Sequence, residues 1–132
     1  MKLTAAEGHA ETELHSAAWN GDVAWASELI SKGADVNKRD SIGEIPLYGA
    51  AASGNAEMVK LLLRHGANFA LVSSDGFAPI HWAASHGNVE TIEALISGGA
   101  DPNQRDDRGR TPLEVAKSHN NHEVIAYLKA NT

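Results

Sequence analysis

The sequence predicts an all-α protein, a solenoid of four helix-turn-helix units joined by β-hairpin-like loops. Three observations predict it: a short phrase that returns every 33 residues, glycines at the same interval, and an apolar stripe at helical spacing after each phrase. Stacked units of this kind bury their apolar faces against one another, so a single domain, 1–132, is expected. The phrase is Thr12-Glu13-Leu14-His15, Ile45-Pro46-Leu47-Tyr48, Ala78-Pro79-Ile80-His81 and Thr111-Pro112-Leu113-Glu114.

The register of the repeats divides the chain into a short N-terminal extension and four units. The extension covers 1–6, and the repeats cover 7–39, 40–72, 73–105 and 106–132. Each unit is predicted to contain a turn, a short first helix, a tight connection and a longer second helix, in that order. The turns are predicted where Asp or Ser stands first and Gly fourth, as a type I turn prefers.

The helices have their own start and end signals. Thr111 precedes Pro112, and Glu114 follows three residues after Thr111, so a capping box is predicted at the start of a first helix. Each second helix follows a residue that can cap its free N–H groups, namely Asp22, Asn55, Asn88 or Asn121. Each of the first three ends at a glycine suited to the left-handed conformation, namely Gly33, Gly66 or Gly99. The leucines of the apolar stripe are predicted to form one interior row, Leu29, Leu62, Leu95 and Leu128.

The two terminal units depart from the pattern in a way that suits the ends of a stack. In the first unit Ala10 replaces the turn glycine and Glu13 replaces the helix-starting proline. In the last unit Lys117, His122 and Lys129 stand in columns that are apolar earlier in the chain. Polar side chains are expected where no further repeat covers the surface, so the terminal repeats are predicted to be polar caps.

Composition and charge exclude several classes of protein. The 132 residues are 42% hydrophobic and 21% charged, as in an ordinary globular domain. The net charge of -6 is shared evenly by the two halves of the chain, so no basic surface for nucleic acid is expected. Cysteine is absent, and no apolar run is long enough for a signal peptide or a membrane span. We therefore expect a cytoplasmic protein that binds neither nucleic acid nor membrane.

Period, caps, glycines and apolar columns agree with one another in all four units. In these features the chain resembles the ankyrin repeat family over about 7–132. The resemblance implies an ankyrin repeat solenoid, a stand-alone protein in which hairpin tips and first helices form a concave face. It also implies a protein-protein interaction module, an adaptor, scaffold or inhibitor, whose partner is another protein.

The residues that the resemblance assigns to partner binding vary between units, whereas the packing columns stay constant. Trp19, Ile42, Val72 and Phe77 are apolar where a solvent-facing residue is expected, and arginines gather near the far end of the same face. Aromatic and arginine side chains often anchor protein interfaces. The full set of candidates is Trp19, Asn20, Arg39, Ile42, Glu44, Val72, Asp75, Phe77, His86, Arg105, Arg108, Arg110 and His119.

Plainer interpretations stay open for single residues. Isolated apolar side chains are common on protein surfaces, and Trp19 could simply close the thin first repeat. The arginines could be neutralised by the neighbouring aspartates, Asp101, Asp106 and Asp107. Trp25 and Trp82 lie in helical columns of mostly small or aliphatic residues, so they are assigned to packing.

Neither a metal site, a cofactor site nor a catalytic site is predicted. His86 and His119 are one repeat apart, which is judged too far to share an ion, and the pair His119 and His122 has no third ligand nearby in sequence. The sequence contains no cysteine nucleophile, no nucleophile elbow and no phosphate loop. The chain is therefore predicted not to be an enzyme, and a small metal-binding or hydrolytic protein is the least favoured alternative.

Self-association is the remaining alternative, in which apolar surface left on the terminal repeats builds a structural oligomer. The polar residues of the last unit argue against growth at that end, so a monomer is expected in isolation.

Overall fold

The computed structural model describes residues 12–132 and contains eight helices in that part of the chain. The extension 1–6, and Ala10 in the first repeat, lie outside the described residues. All regular structure within residues 12–132 is helical, which confirms the predicted fold class. The helices are α1 Glu13–Asn20, α2 Val23–Ser31, α3 Pro46–Ser53, α4 Ala56–Arg64, α5 Pro79–His86, α6 Val89–Ser97, α7 Pro112–Ser118 and α8 His122–Asn131.

The helices form four pairs that stack in one direction. The first helices pack in the order α1, α3, α5 and α7, the second helices pack in the order α2, α4, α6 and α8, and each first helix also packs against the second helix of its own pair. Within the second row Leu62, Leu95 and Leu128 are fully buried. Leu29 is half-buried and packs against the same core. The predicted interior row is therefore confirmed, with one partly exposed member in the first pair.

Side-chain capping begins most of the helices where the sequence predicted it. Thr111 Oγ1 accepts the N–H of Glu114, and the Glu114 carboxylate accepts the N–H of Thr111, which completes the predicted capping box. The side chains of Asp22, Asn55 and Asn88 each accept the N–H of the residue three positions later.

The prediction was wrong for Asn121, whose side chain makes no capping hydrogen bond. Its amide Nδ2 instead donates to the carbonyl oxygens of Ala84 and Gly87, at 3.0 and 3.1 Å. Asn88 uses its amide in the same way, because Nδ2 donates to the Gly54 carbonyl while Oδ1 caps α6. The asparagine column thus joins adjacent repeats as well as capping helices.

Glycines end the second helices of the first three repeats as predicted. The φ angles of Gly33, Gly66 and Gly99 are 97°, 92° and 114°, in the left-handed region that residues with a side chain rarely adopt. Each helix therefore stops at its predicted position, and the chain turns toward the next hairpin tip.

The hairpin tips pair with one another through their backbones. Within the first tip, the Gly43 N–H donates to the Asp40 carbonyl at 3.0 Å. Between tips, the Ser74 N–H donates to the Ile42 carbonyl at 2.9 Å, and the Asp107 N–H donates to Gly76 at 3.1 Å. These bonds hold the three tips side by side, next to the row of first helices.

In the first three repeats the last residue of the phrase ties a first helix to the following tip, whereas Glu114 of the fourth bonds within its own capping box. In His81, Nδ1 accepts the Ala78 N–H at 3.2 Å, and Nε2 donates to the carbonyls of Gln104 and Arg110 at 3.0 and 3.1 Å. This pattern requires a neutral ring with its proton on Nε2, and burial lowers the pKa of His81. The sequence pattern relates His81 only to its own phrase, whereas in the structure its Nε2 also bonds to carbonyls at the end of its repeat and in the next tip.

The far end of the stack is polar, as the sequence predicted. Lys117, His122 and Lys129 are all exposed. Among the helices of residues 12–132, none combines the length and the apolar character needed to cross a membrane.

Candidate functional site

The row of first helices and hairpin tips exposes three large apolar side chains. Trp19 is 57% exposed, Ile42 46% and Val72 38%, as the sequence predicted for solvent-facing apolar positions. The fourth apolar residue predicted to face solvent, Phe77, is instead half-buried. We call the surface that carries these residues the candidate face. It is defined by the thirteen sequence candidates, Trp19, Asn20, Arg39, Ile42, Glu44, Val72, Asp75, Phe77, His86, Arg105, Arg108, Arg110 and His119.

Trp19 is positioned by a close approach of two first helices. A Cβ atom added to Gly49 of α3 would lie 3.3 Å from the Trp19 Cα and 3.4 Å from its Cβ. The missing side chain at position 49 therefore allows α1 to come close to α3, and the indole rests against α3 while more than half of the residue stays exposed.

Four rings follow one another across the third and fourth repeats. The ring centroids of Phe77 and Trp82 are 5.8 Å apart, those of Trp82 and His86 are 5.5 Å apart, and those of His86 and His119 are 5.4 Å apart. We call these four residues the aromatic row. It runs from the tip before α5, along α5, to the end of α7.

The prediction that His86 and His119 lie far apart was wrong. Equivalent residues of stacked repeats are one repeat apart in sequence, but the helices that carry them are direct neighbours in space. Packed helices lie only about 8–10 Å apart, so two long side chains in the same column can meet. The two imidazole rings accordingly lie in contact distance.

A pocket of about 120 Å³ opens beside the aromatic row, between α5 and α7. All four residues of the row line it, together with Arg110 from the tip and Val115 from α7. Its wall is mostly carbon, so the pocket is suited to an apolar group with polar contacts at its edge.

Arg110 is fixed between an acid and a ring. Its Nε lies 2.9 Å from Asp106 Oδ2, and its guanidinium carbon lies 5.6 Å from the Phe77 ring centroid, which is cation-π geometry. Burial by itself raises the pKa of Asp106, but hydrogen bonds from Arg110 and Arg108 outweigh it and hold that pKa below its usual value. Neutralisation by a neighbouring aspartate, left open by the sequence, therefore occurs at Arg110.

The stacked helix pairs and their paired tips agree with the comparison of the chain with known families. A family model that describes ankyrin repeats in three copies matches residues 14–106. The chain belongs to the ankyrin repeat family. The fourth helix pair, α7 and α8, continues the same ankyrin stack beyond the matched residues. No curated protein matches the chain.

Two candidate arginines on the ankyrin tips are used inside the fold. Arg39 Nη1 donates to the carbonyls of Gly43 and Val72, both at 3.0 Å, and so ties one tip to the end of its own repeat. Arg105 Nη1 donates to the Gly109 carbonyl at 2.5 Å. The side chain of Arg108, by contrast, is exposed and makes no ion pair within residues 12–132.

The middle of the candidate face is acidic. Burial raises the pKa of Glu44 to about 7, and the nearby charges of Asp40 and Asp75 add to the effect. Asp75 is exposed and Glu44 is half-buried. The face therefore carries carboxylates near its centre and arginine and histidine side chains toward the fourth repeat.

Sequence reasoning missed the place of Trp82 at the pocket. Trp82 does pack against the core, as predicted, and so does Trp25. Trp82 also lines the pocket, and its indole Nε1 is buried with no hydrogen-bond partner among residues 12–132. One signal could have found it: Trp82 precedes the candidate residue His86 by four positions, which puts both on one side of a helix.

In the part of the chain that the structure describes, no three histidine or acidic side chains come together as a metal site would require. His86 and His119 bring two imidazoles together, but the pair lacks the further ligands of a zinc site there. The candidate face therefore presents aromatic rings, apolar side chains and charged side chains at the protein surface.

Proposed function

We propose that this ankyrin repeat protein is an adaptor, scaffold or inhibitor that binds another protein through the candidate face. Ankyrin repeats generally act in protein-protein interaction. The observation that carries the proposal is the exposure of Trp19, Ile42 and Val72 on the row of first helices and tips that also holds the aromatic row.

Side-chain chemistry supports this use of the face. Tryptophan and arginine are enriched among the residues that dominate binding energy, and exposed apolar side chains rimmed by polar residues are typical of protein interaction sites. Carboxylates near Glu44, and toward the fourth repeat the exposed Arg108, which makes no ion pair within residues 12–132, would orient a partner of complementary charge. Arg39 and Arg105 contribute by holding the tips in place.

Pull-down from the native lysate tests the proposal, with the purified full chain as bait. The double substitution Trp19→Ala and Phe77→Ala should abolish recovery of a partner that the unchanged protein retains. Lys60→Ala with Glu93→Ala provides the matched control, because both residues are exposed on second helices, away from the face. Circular dichroism must show that both variants are folded. If all three proteins recover the partner equally, the candidate face does not bind it and the proposal is wrong.

We further propose that the protein is a non-enzymatic cytoplasmic monomer. Ankyrin repeat proteins are typically non-enzymatic, and the absence of cysteine suits a reducing compartment. The charges of Lys117 and Lys129 oppose stacking of another copy on the exposed end of the last repeat. Sedimentation at several protein concentrations should show one species with the mass of a monomer, and a stable dimer would contradict this part of the proposal.

A further inference from the structure

We propose that the junction between the third and fourth repeats is an acid-sensitive joint, in which protonation of His81 releases the fourth repeat, α7 and α8, from the rest of the stack. Such a response to pH belongs to the fold itself and does not require a bound partner. Arg108, Arg110 and His119 belong to the fourth repeat, so opening of the joint would also displace that end of the candidate face.

The two inner junctions of the stack are joined in the same way apart from one residue. At each junction a backbone hydrogen bond connects the tips, and an asparagine amide, of Asn88 or Asn121, donates to carbonyls of the preceding repeat. The last residue of the phrase makes the third connection, Tyr48 at one junction and His81 at the other. Of these groups, only the histidine is of a type that changes its charge between pH 5 and 8.

Tyr48 and His81 bond to equivalent carbonyl groups but respond differently to pH. The Tyr48 hydroxyl donates to the carbonyls of Leu71 and Phe77, and His81 Nε2 donates to the two carbonyls one repeat later. Burial raises the pKa of Tyr48, so its hydroxyl donates at any ordinary pH. The connection made by His81, in contrast, depends on which ring nitrogen carries the proton.

A second proton on His81 would place two hydrogen-bond donors face to face. Nδ1 accepts the Ala78 N–H at 3.2 Å, so Nδ1 carries no hydrogen in the closed joint. The residue is only 1% exposed, so an imidazolium ring there would be poorly hydrated. A protonated ring is accommodated by turning away from Ala78 into solvent, and Nε2 then loses the carbonyls of Gln104 and Arg110.

The groups around His81 do not remove this sensitivity. Burial lowers its pKa more than the hydrogen bonds to two carbonyls and the charge of Asp106 raise it, and Arg110 opposes Asp106, with which it is paired at 2.9 Å. On the helices packed against α5, the titratable side chains apart from the neutral Tyr48 are all exposed, namely Glu90, Glu93, Glu114 and Lys117.

The sign of the pH dependence follows from the lowered pKa. A released His81 takes up its proton near the ordinary pKa of 6.5, whereas the packed ring resists protonation. The stability of the closed joint is therefore present in full above about pH 6.5 and is lost as the pH falls below that value. The fourth repeat is the part that opens, because α7 and α8 pack against a neighbouring repeat on one side only.

Native-state hydrogen exchange of the full chain, followed by nuclear magnetic resonance, tests the proposal. The amides of Tyr127 and Leu128 in α8 report on the fourth repeat, and those of Val59 and Leu62 in α4 report on the interior of the stack. Protection factors in α8 should fall severalfold from about pH 7.5 to about pH 5, whereas those in α4 should change clearly less, since only the fourth repeat opens.

His81→Gln and His81→Tyr are the matched variants. Glutamine has an amide donor and a carbonyl acceptor but gains no proton, and tyrosine is the residue that the second repeat uses at this position. Both variants should keep the α8 protection factors nearly constant over the same pH range. His15, which makes a similar connection at the first junction, is unchanged in every protein and does not enter the comparison.

His119→Gln is the control for other histidines at the same junction. It removes the exposed ring that meets His86 across α5 and α7, where solvent and salt screen repulsion between charged rings. The acid-dependent fall in α8 protection should therefore remain in this variant. Circular dichroism checks that all variants are folded.

The proposal is overturned if α8 protection in the unchanged protein does not fall in acid, or if α4 protection falls by the same factor. It is also overturned if the fall persists in either folded His81 variant, or if it disappears in His119→Gln. The first two results need no variant, so the proposal stays testable even where a substitution at His81 prevents folding.

Discussion

Glu44 is a single position at which the local environment opposes the charge of the side chain. It is half-buried, and the carboxylates of Asp40 and Asp75 lie near it, which is why its pKa is raised to about 7. Its backbone has a separate role, because the Glu44 carbonyl accepts from His15 Nε2 at 2.8 Å. A change confined to the carboxylate can therefore alter charge without altering the connection between repeats.

We predict that Glu44→Gln stabilises the protein at alkaline pH and has no effect at low pH. The folded state holds the Glu44 proton up to about pH 7, whereas the unfolded state releases it near the ordinary value of 4.5. The stability that comes from holding this proton is present in full below pH 4.5 and is lost as the pH rises through about 7. The variant should thus exceed the unchanged protein by on the order of 1 kcal/mol at pH 8, after allowance for solvent screening.

Urea unfolding of both proteins at several pH values measures this difference. Asp75→Asn serves as a comparison, because it removes one of the two neighbouring charges and should give a smaller gain of the same sign. A gain from Glu44→Gln that is independent of pH would contradict the assignment of the raised pKa to Glu44.

A first helix and the following tip are connected by hydrogen bonds from a single side chain. The Tyr48 hydroxyl of α3 lies 2.5 Å from the Leu71 carbonyl and 2.6 Å from the Phe77 carbonyl. One side chain thus bridges the end of its own repeat and the tip of the next. Burial is the main reason that the pKa of Tyr48 is raised, so the hydroxyl keeps its proton and can donate at any ordinary pH.

We predict that Tyr48→Phe lowers the free energy of unfolding by about 1 to 2 kcal/mol, because the partly buried Leu71 carbonyl loses its donor. The Phe77 carbonyl keeps the Ser73 N–H as a second partner, which limits the loss. Tyr127→Phe is the control, since the Tyr127 hydroxyl makes no hydrogen bond within residues 12–132. Chemical unfolding followed by circular dichroism compares the two, and equal effects would argue against the bridge.

At the scale of the whole molecule, stability comes from contacts between neighbouring repeats. Leu62 is fully buried in the second row of helices, with a repeat on either side, whereas Leu29 of the first pair is half-buried. In an array that contacts mainly its nearest neighbours, an interior leucine supports two interfaces and a terminal one supports fewer.

We predict that Leu62→Ala costs about 2 to 5 kcal/mol in the free energy of unfolding, as for other fully buried leucines. Leu29→Ala, the same substitution in the same column, should cost clearly less because its side chain already meets solvent. Urea melts of both variants provide the measurement. Equal losses, or no loss in Leu62→Ala, would contradict the packing register.

Part of the candidate face could be predicted from sequence because exposed positions vary in residue type from one repeat to the next. Trp19, Ile42 and Val72 are apolar in columns that otherwise vary, and the structure exposes all three. The candidates Arg39 and Arg105 show the limit of this reasoning, because they share the variable column of Val72 although their side chains bond to backbone carbonyls. A sequence column records which residue types are tolerated but does not record the partner of a long side chain.

The helices, their ends and the stacking register follow from the amino-acid sequence, since capping, left-handed glycines and apolar spacing each act over a few neighbouring residues. The folded arrangement was needed to show that His86 meets His119, that Asn121 bonds to the preceding repeat and that Trp82 lines a pocket. The physical reason is that these features depend on the angle and distance between stacked helices, which place residues about one repeat apart in sequence within a few ångströms in space.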